Sequence, residues 1–156
     1  MFTYRKATAT DLDVLIQLRM DYLAEDRGSL SEGENSAVEA QLRAYIPKHI
    51  GNDFVVWLAE IDSCVAGAAF LVINEKPANP SFLTGTIGTV MNVLTYPEYR
   101  RQGIATQLLG HLIDDARARD LSYIELSATA SGRQLYEKLG FAEKQSHYTE
   151  MKYQLT

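Results

Sequence analysis

Two adjacent arginines and a glycine precede a regular apolar pattern in the segment RRQGIA, residues 100–105. After Gly103, apolar residues recur at helical spacing and predict an α-helix that packs on a sheet; they are Ile104, Ala105, Leu108, Leu109, Leu112, Ile113 and Ala116. The free amide protons at a helix start bind anions, and Gly103 has no side chain to hold a ligand away. Because Arg100 and Arg101 add positive charge, the segment predicts a pyrophosphate site.

A structural interpretation of the same segment is equally open. Gly103 could instead allow close packing of the helix on a strand, with both arginines solvated. Two common phosphate-binding loops are absent, because the chain contains neither G-x-x-x-x-G-K-[ST] nor G-x-G-x-x-G. The segment alone therefore does not decide between packing and ligand binding.

The composition predicts one domain over residues 1–156, since 46% of the chain is hydrophobic, 22% is charged and no linker divides it. The single cysteine, Cys64, excludes an internal disulfide and fits a reducing compartment. The polar first residues are unlike a signal peptide, and no apolar run approaches the ~20 residues of a membrane span. We therefore expect a cytoplasmic protein with no membrane partner.

The net charge and the spacing of the histidines argue against nucleic-acid binding and against a metal site. A net charge of −5 argues against nucleic acid as a partner, because binding to a phosphate backbone needs a basic surface. His49, His111 and His147 lack ligand spacing, so no metal site is predicted. His111 is expected to be solvated, and Cys64 is expected to be a half-buried apolar residue rather than a nucleophile.

The hydrophobic patterns predict the order strand, two helices, three strands, helix, strand, helix and two strands. Thr10 is the predicted N-cap of the first helix, and Pro47 is expected to end or kink the second, which spans 35–46. Asp62–Ser63 is predicted to turn a hairpin, and the last two strands fall within 141–155. This order predicts an α/β (α+β) fold with a parallel crossover through the long helix.

Three segments together resemble the GCN5-related N-acetyltransferases, the GNAT superfamily. The segment RRQGIA is similar to that family's R/Q-x-x-G-x-G/A signature. MNVLTYPEY, residues 91–99, resembles its central strand and proline turn, and GRQLYEKLGF, residues 132–141, resembles its second motif. The resemblance covers the whole chain, most firmly residues 85–141. It implies a single-domain GNAT fold, with a mixed, mostly antiparallel sheet of about seven strands flanked by about four helices.

The resemblance implies that acetyl-CoA is the cosubstrate and that no metal takes part. The backbone of Val93, Leu94 and Thr95 would pair with the pantetheine amides. The pyrophosphate would lie on the backbone amides of the helix start, assisted by Arg100 and Arg101; these amides belong to Gln102, Gly103, Ile104, Ala105 and Thr106. Thr129 stands where relatives often have an asparagine that contacts the cofactor arm, and is expected to replace it in part.

The resemblance also assigns a catalytic acid. Tyr136 matches the family tyrosine that protonates the leaving thiolate, and a phenol that titrates near ~10 stays protonated at neutral pH. In the structural alternative, Tyr136 only anchors its helix. Relatives often carry a basic carboxylate on the central strand, where this chain has Met91 and Asn92. Glu150 and Glu25 are the candidates for the base, although each is also interpretable as a surface acid, and we predict Glu150.

The function implied is direct transfer of an acetyl group from acetyl-CoA to the primary amine of a small molecule. The residues expected to form the acceptor pocket are Arg19, Tyr22, Glu25, Asp26, Glu32, Glu34, Tyr45, His147 and Tyr148. Their acids and aromatics suggest a polyamine, an aminoglycoside-like molecule or an amino-acid derivative. A protein N-terminus or lysine is an alternative acceptor, and a domain that binds CoA without transfer is an alternative function. The late strands permit a homodimer.

Overall fold

The computed structural model describes residues 1–156. Its five strands form one sheet, in the order β1 to β5. The strands are β1 (Thr3–Lys6), β2 (Phe54–Ile61), β3 (Cys64–Glu75), β4 (Thr86–Thr95) and β5 (Ile124–Glu125). The helices are α1 (Leu12–Arg27), α2 (Glu32–His49), α3 (Ile104–Ala118) and α4 (Arg133–Leu139). The predicted fold class is confirmed, with four helices as expected and five strands where about seven were predicted.

The sheet is antiparallel from β1 to β4 and parallel between β4 and β5. Asp62 and Ser63 join β2 to β3 with φ angles of +49° and +64°. This is the left-handed backbone that a two-residue type I′ turn requires, so the predicted hairpin is confirmed. The connection between the parallel pair β4 and β5 runs through α3, as the element order predicts.

Helices cover both faces of the sheet, and the strands alternate between them. Val56 and Leu58 on β2 face the layer of α1 and α2, whereas Val55 and Ala59 face α3. The first core also contains Leu15, Leu18, Ile46 and Phe70, and the second contains Leu71, Val90, Leu108, Leu109 and Leu112. The period of two is that of a strand buried on both sides. No helix combines the length and the hydropathy needed to cross a bilayer.

Three predicted helix boundaries are wrong. The N-cap of α1 is Asp11, not Thr10, because a 3₁₀ turn over Ala9–Asp11 precedes the helix; Thr8 caps that turn, and its backbone amide donates to Asp11 at 2.8 Å. The helix α2 begins at Glu32, where Ser31 and Glu34 form a capping box. It also continues past Pro47, since a proline removes only its own amide bond and the Ile50 amide still donates to the Ile46 carbonyl.

The two strands predicted within 141–155 are not formed, and every residue from 142 to 156 is exposed. The apolar side chains of Met151 and Tyr153 are 90% and 86% accessible. A further strand would have to pair with β5. That strand is short, and it pairs with β4 only at Ile124 and Glu125. An edge of two residues offers few hydrogen bonds to a further strand.

Two side chains are placed differently from the prediction. Cys64 is exposed at the hairpin rather than half-buried. His111 is not solvated on a polar face, because its ring stacks on Trp57 with a centroid distance of 4.4 Å and an interplanar angle of 12°. The ring of Tyr4 lies 5.4 Å away on the same cluster. Tyr4 of β1 and Trp57 of β2 therefore cover His111, which the sequence predicted to be exposed to solvent.

A buried carboxylate on α3 ties the helix to β1. Asp115 lies 2.9 Å from Arg119 Nε and 3.0 Å from Lys6 Nζ. Burial raises the pKa of Asp115, but the bonds to Arg119 and Lys6 outweigh it and hold the pKa below its usual range. A carboxyl with a lowered folded pKa stabilises the fold above its unfolded pKa of about 3.9, and this contribution is lost as the pH falls through the folded value.

Asp115→Asn is therefore expected to lower the free energy of unfolding by about 1–3 kcal/mol at pH 7. The loss should fall in the lower part of this range, because Lys6 and Arg119 are partly exposed and solvent screens their charges. Urea denaturation at pH 7 and pH 3 measures the effect. The difference from wild type should shrink at pH 3, because below the unfolded pKa of about 3.9 the unfolded chain binds a proton that the lowered pKa of folded Asp115 opposes. Asp114→Asn, at an exposed neighbour, is the control. An equal loss in both variants, or at both pH values, would contradict the assignment.

Candidate functional site

The strands β4 and β5 separate after two residue pairs. Gly88 pairs with Ile124 and Thr89 pairs with Glu125, and no strand pairs with this side of β4 further along. The segment 90–95 therefore presents backbone amide and carbonyl groups toward an opening in the sheet. Such groups are obligatory hydrogen-bonding groups, and an extended ligand can satisfy them as an added strand does.

A bulge in β4 sets the direction of this open edge. Ala68 of β3 pairs with Leu94 and Phe70 pairs with Met91, so β4 carries one extra residue across the same interval. Asn92 adopts a φ of +55° there and is buried. A bulge bends its strand and redirects the residues that follow it. The sequence did not predict this bulge.

The opening is a cleft of about 880 Å³ between the two strands. The residues that line it come from the helices α1, α3 and α4, the strand β4 and the loops that follow β4 and β5. They include Tyr22, Glu25, Val93, Leu94, Thr95, Arg100, Arg101, Gly103, Ile104, Ala105, Ser127, Thr129 and Tyr136. Ten of the predicted site residues thus surround one cavity.

The start of α3 opens onto the cleft. Gly103 is its N-cap, with a φ of +78°, and a β-carbon placed there would meet no atom within 4 Å. The packing interpretation of Gly103 is therefore wrong, because nothing crowds the position. The residue serves a left-handed turn and leaves space in front of the first amides of α3, which have no partner within the helix.

The two arginines before α3 differ in their contacts. Arg100 donates from Nε to the Thr95 carbonyl at 2.8 Å, and its Nη2 pairs with Glu25 at 2.7 Å. This ion pair connects the α3 side of the cleft to α1. Arg101 is exposed with a φ of +64° and forms no ion pair within the protein. Arg101 is therefore a cation at the cleft that no carboxylate neutralises.

Tyr136 on α4 is half-buried at the cleft. Burial raises the pKa of its phenol above the ordinary value, and the nearby Tyr22 adds to the rise. Its ring packs edge-to-face on Phe141 at 5.9 Å, and Gly132 leaves room for it, since a β-carbon there would lie 3.2 Å from the ring. The phenol is thus fixed in place and stays protonated at neutral pH.

Three of the predicted catalytic and cofactor-binding residues, Gln102, Thr106 and Glu150, do not line the cavity. Gln102 and Thr106 are exposed near the start of α3 and do not line the cleft. Thr129 lines it, and its hydroxyl also accepts from the Gly132 amide at 3.2 Å in the turn before α4. Glu150 is exposed in the C-terminal segment and does not line the cavity, whereas Glu25 does.

Other lining residues did not stand out in the sequence. They are Tyr99, Ser127, Ser131, Gln134, Leu135 and Lys138. Most of them flank the two motifs, so proximity to Arg100 and Tyr136 was the available signal. Ser127 follows β5 at the point where it diverges from β4, and only the sheet pairing identifies it.

Comparison with known proteins finds similarity over most of the chain. A family model described as acetyltransferase (GNAT) family matches residues 16–141. The [ribosomal protein bS18]-alanine N-acetyltransferase of Escherichia coli K12 is 41% identical over 58 residues. That match covers 35% of this chain and spans only 39% of the length of the relative.

Solved structures match nearly the whole chain. A predicted acetyltransferase with acetyl-CoA from Clostridium acetobutylicum has a TM-score of 0.84 and 29% identity, covering 97% of this chain and 96% of its own. A GCN5-related N-acetyltransferase from Ralstonia eutropha has a TM-score of 0.81 and 19% identity, covering 97% and 99%. The second similarity, at this low identity, supports the fold.

Gly103→Ala places a methyl group in front of the α3 amides and forces an alanine into the left-handed region. We expect acetyl-CoA to bind about 10-fold more weakly, measured by isothermal titration. Gly110→Ala, in the interior of α3 where a β-carbon also meets nothing within 4 Å, is the matched control. It should stabilise the fold by about 0.5–1 kcal/mol and leave acetyl-CoA affinity unchanged. Wild-type affinity in Gly103→Ala would contradict the role of this helix start.

Proposed function

The chain belongs to the acetyltransferase (GNAT) family, and on that premise we propose that residues 1–156, as one domain, transfer an acetyl group from acetyl-CoA to the primary amine of a small molecule. The observation that carries the proposal is the convergence on one cleft of the open β4 edge, the α3 start and the Tyr136 phenol. A binding edge, an anion site and a proton donor are what direct acyl transfer from a thioester needs.

The β4 edge and the α3 start divide the binding of acetyl-CoA between them. The backbone of Val93, Leu94 and Thr95 pairs with the pantetheine amides, in the place that a further strand would occupy. The amides of residues 102–106 and the side chain of Arg101 bind the pyrophosphate. Arg100 holds the Thr95 carbonyl and Glu25, so it shapes the cleft as well as adding charge. The acetyl-CoA of the Clostridium neighbour supports this cosubstrate.

Tyr136 acts as the general acid in the proposed reaction. The neutral amine forms a C–N bond to the acetyl carbon, the C–S bond breaks, and the phenol gives its proton to the departing sulfur. The amide product releases one proton, which returns to the Tyr136 oxygen or to solvent. Holding the two reactants in one cleft supplies much of the rate, since correct positioning is worth about 7–11 kcal/mol.

The acceptor amine must lose a proton before it attacks. Of the two carboxylates considered as its base, only Glu25 lines the cleft. Its carboxylate pairs with Arg100 at 2.7 Å, which holds it at the cleft as the group that passes the proton of the amine to water. Glu150 could contribute only if the C-terminal segment folded over the cleft.

A protein N-terminus is the second candidate acceptor. The observation in its favour is the name of the partial relative, an alanine N-acetyltransferase of ribosomal protein bS18. A peptide that begins with alanine and a panel of small amines separate the two candidates, with release of free CoA thiol as the readout. A domain that only binds CoA would release no thiol with either.

Tyr136→Phe is expected to lower kcat by about 10²–10⁴-fold while acetyl-CoA affinity is unchanged, because it removes the proton donor and keeps the ring. Thiol release gives the rate and isothermal titration gives the affinity. Since burial raises the pKa of Tyr136 above ~10, its ionisation should not reduce wild-type kcat below pH 10. Tyr123→Phe, at an exposed residue outside the cleft, is the control. Full kcat in Tyr136→Phe would assign the proton to another donor.

A further inference from the structure

A second groove, of about 700 Å³, lies on the other side of α1. It is formed by α1, α2 and the sheet face of β2 to β4, and we call it the helix groove. Its walls are mostly apolar and include Leu23, Val38, Leu42, Phe54, Phe70 and Met91. A groove of this size and polarity accommodates the apolar body of a small molecule.

One charged residue in the helix groove has no carboxylate partner. Arg19 on α1 is half-buried and lines the groove, and its only side-chain hydrogen bond runs from Nη1 to the Asn92 Oδ1 at 3.2 Å. Burial lowers the pKa of Arg19, yet a guanidinium remains charged at neutral pH. Desolvating a cation without a counter-ion costs free energy, which a bound anion would offset. Exposed Arg43, by contrast, pairs with both Asp13 and Glu39.

The other charges of the groove do not neutralise Arg19. Glu34 lines the groove, but its Oε1 accepts from the Ser31 amide at 3.0 Å in the cap of α2. Arg27 also lines the groove and is mostly exposed, with Asp26 at 4.0 Å as its partner. Both carboxylates therefore have other partners, and the Arg19 guanidinium is left to pair with an anion.

The helix groove adjoins the transfer cleft along α1 and β4. Arg19 and Leu23 line the groove, whereas Tyr22, on the intervening part of α1, lines the cleft. On β4, Met91 lines the groove and Val93 lines the cleft, with the Asn92 bulge between them. A molecule in the helix groove thus lies next to the site of acetyl transfer.

We propose that the acceptor amine carries a carboxylate that pairs with Arg19 and an apolar body that lies in the helix groove, as an apolar amino acid does. This inference rests on the proposed function, since it names the acceptor class of the same reaction. Arg19 is then a specificity-determining residue: its guanidinium contacts the acceptor, and Asn92 holds that guanidinium in place. The carboxylate supplies the anion that the groove lacks.

The test compares three acceptors of matched size: L-phenylalanine, L-phenylalaninamide and phenethylamine. Thiol release gives kcat/KM for each with wild type, Arg19→Gln, Arg19→Lys and the control Arg43→Gln. Wild type should prefer the acid by about 10- to 100-fold, the strength of a charged hydrogen bond. Arg19→Gln should abolish the preference, Arg19→Lys should restore part of it, and Arg43→Gln should keep it. A preference is a ratio within one variant, so a loss of folded protein cancels.

Equal rates for the acid and the amide with wild type, or an unchanged preference in Arg19→Gln, would overturn the inference. So would acetylation of an alanine-initiated peptide in preference to all three acceptors, or no acetylation of any. A titration with acetyl-CoA separates this result from failure of the proposed function. If acetyl-CoA binds, only the acceptor class is wrong; if it does not bind at millimolar concentration, the acetyltransferase proposal fails first.

Discussion

The divergence of β4 from β5 is the constraint on which the rest of the structure depends. A sheet that opens in its middle exposes backbone groups that must find partners, and here one side of β4 has no partner strand beyond Thr89. The bulge at Asn92 bends the strand at this point, and Gly67 of β3 fits against it because a β-carbon there would lie 2.7 Å from the Leu94 carbonyl. The α3 start, the Tyr136 phenol and the Arg100–Glu25 pair all surround this opening, so one feature of the backbone organises the site.

Asn92 connects α1 to the bulge in β4 through two hydrogen bonds. Its Nδ2 donates to the Leu18 carbonyl at 3.3 Å, while its Oδ1 accepts from Arg19 at 3.2 Å. An amide performs both roles, whereas a carboxylate at the same place could accept from Arg19 but could not donate to the carbonyl. The sequence has Asn92 in the region where relatives often carry a basic carboxylate. In the structure, Asn92 has a structural role, because it holds α1 and the Arg19 guanidinium against the bulge.

Features coded by local patterns could be predicted from the sequence, and features set by distant pairings could not. The apolar period of α3 and the Asp62–Ser63 turn are confirmed because each depends on adjacent residues. The prediction of two strands within 141–155 was wrong. The alternation of apolar and polar residues in that segment carries no information about the length of the β5 edge with which such strands would pair. The cleft could be anticipated from RRQGIA and Tyr136, but the bulge, the Arg100–Glu25 pair and the helix groove depend on contacts between residues far apart in the chain.

Hydrogen exchange with and without acetyl-CoA tests the central claim, that the open edge of β4 and the start of α3 form the cosubstrate site. Backbone amides that a ligand occupies exchange more slowly, and mass spectrometry of short peptides localises the change. The account predicts slower exchange in residues 92–95 and 102–106 at saturating acetyl-CoA, with α2 unchanged as an internal reference. Unaltered exchange in both segments at millimolar acetyl-CoA, or protection confined to another part of the fold, would contradict it.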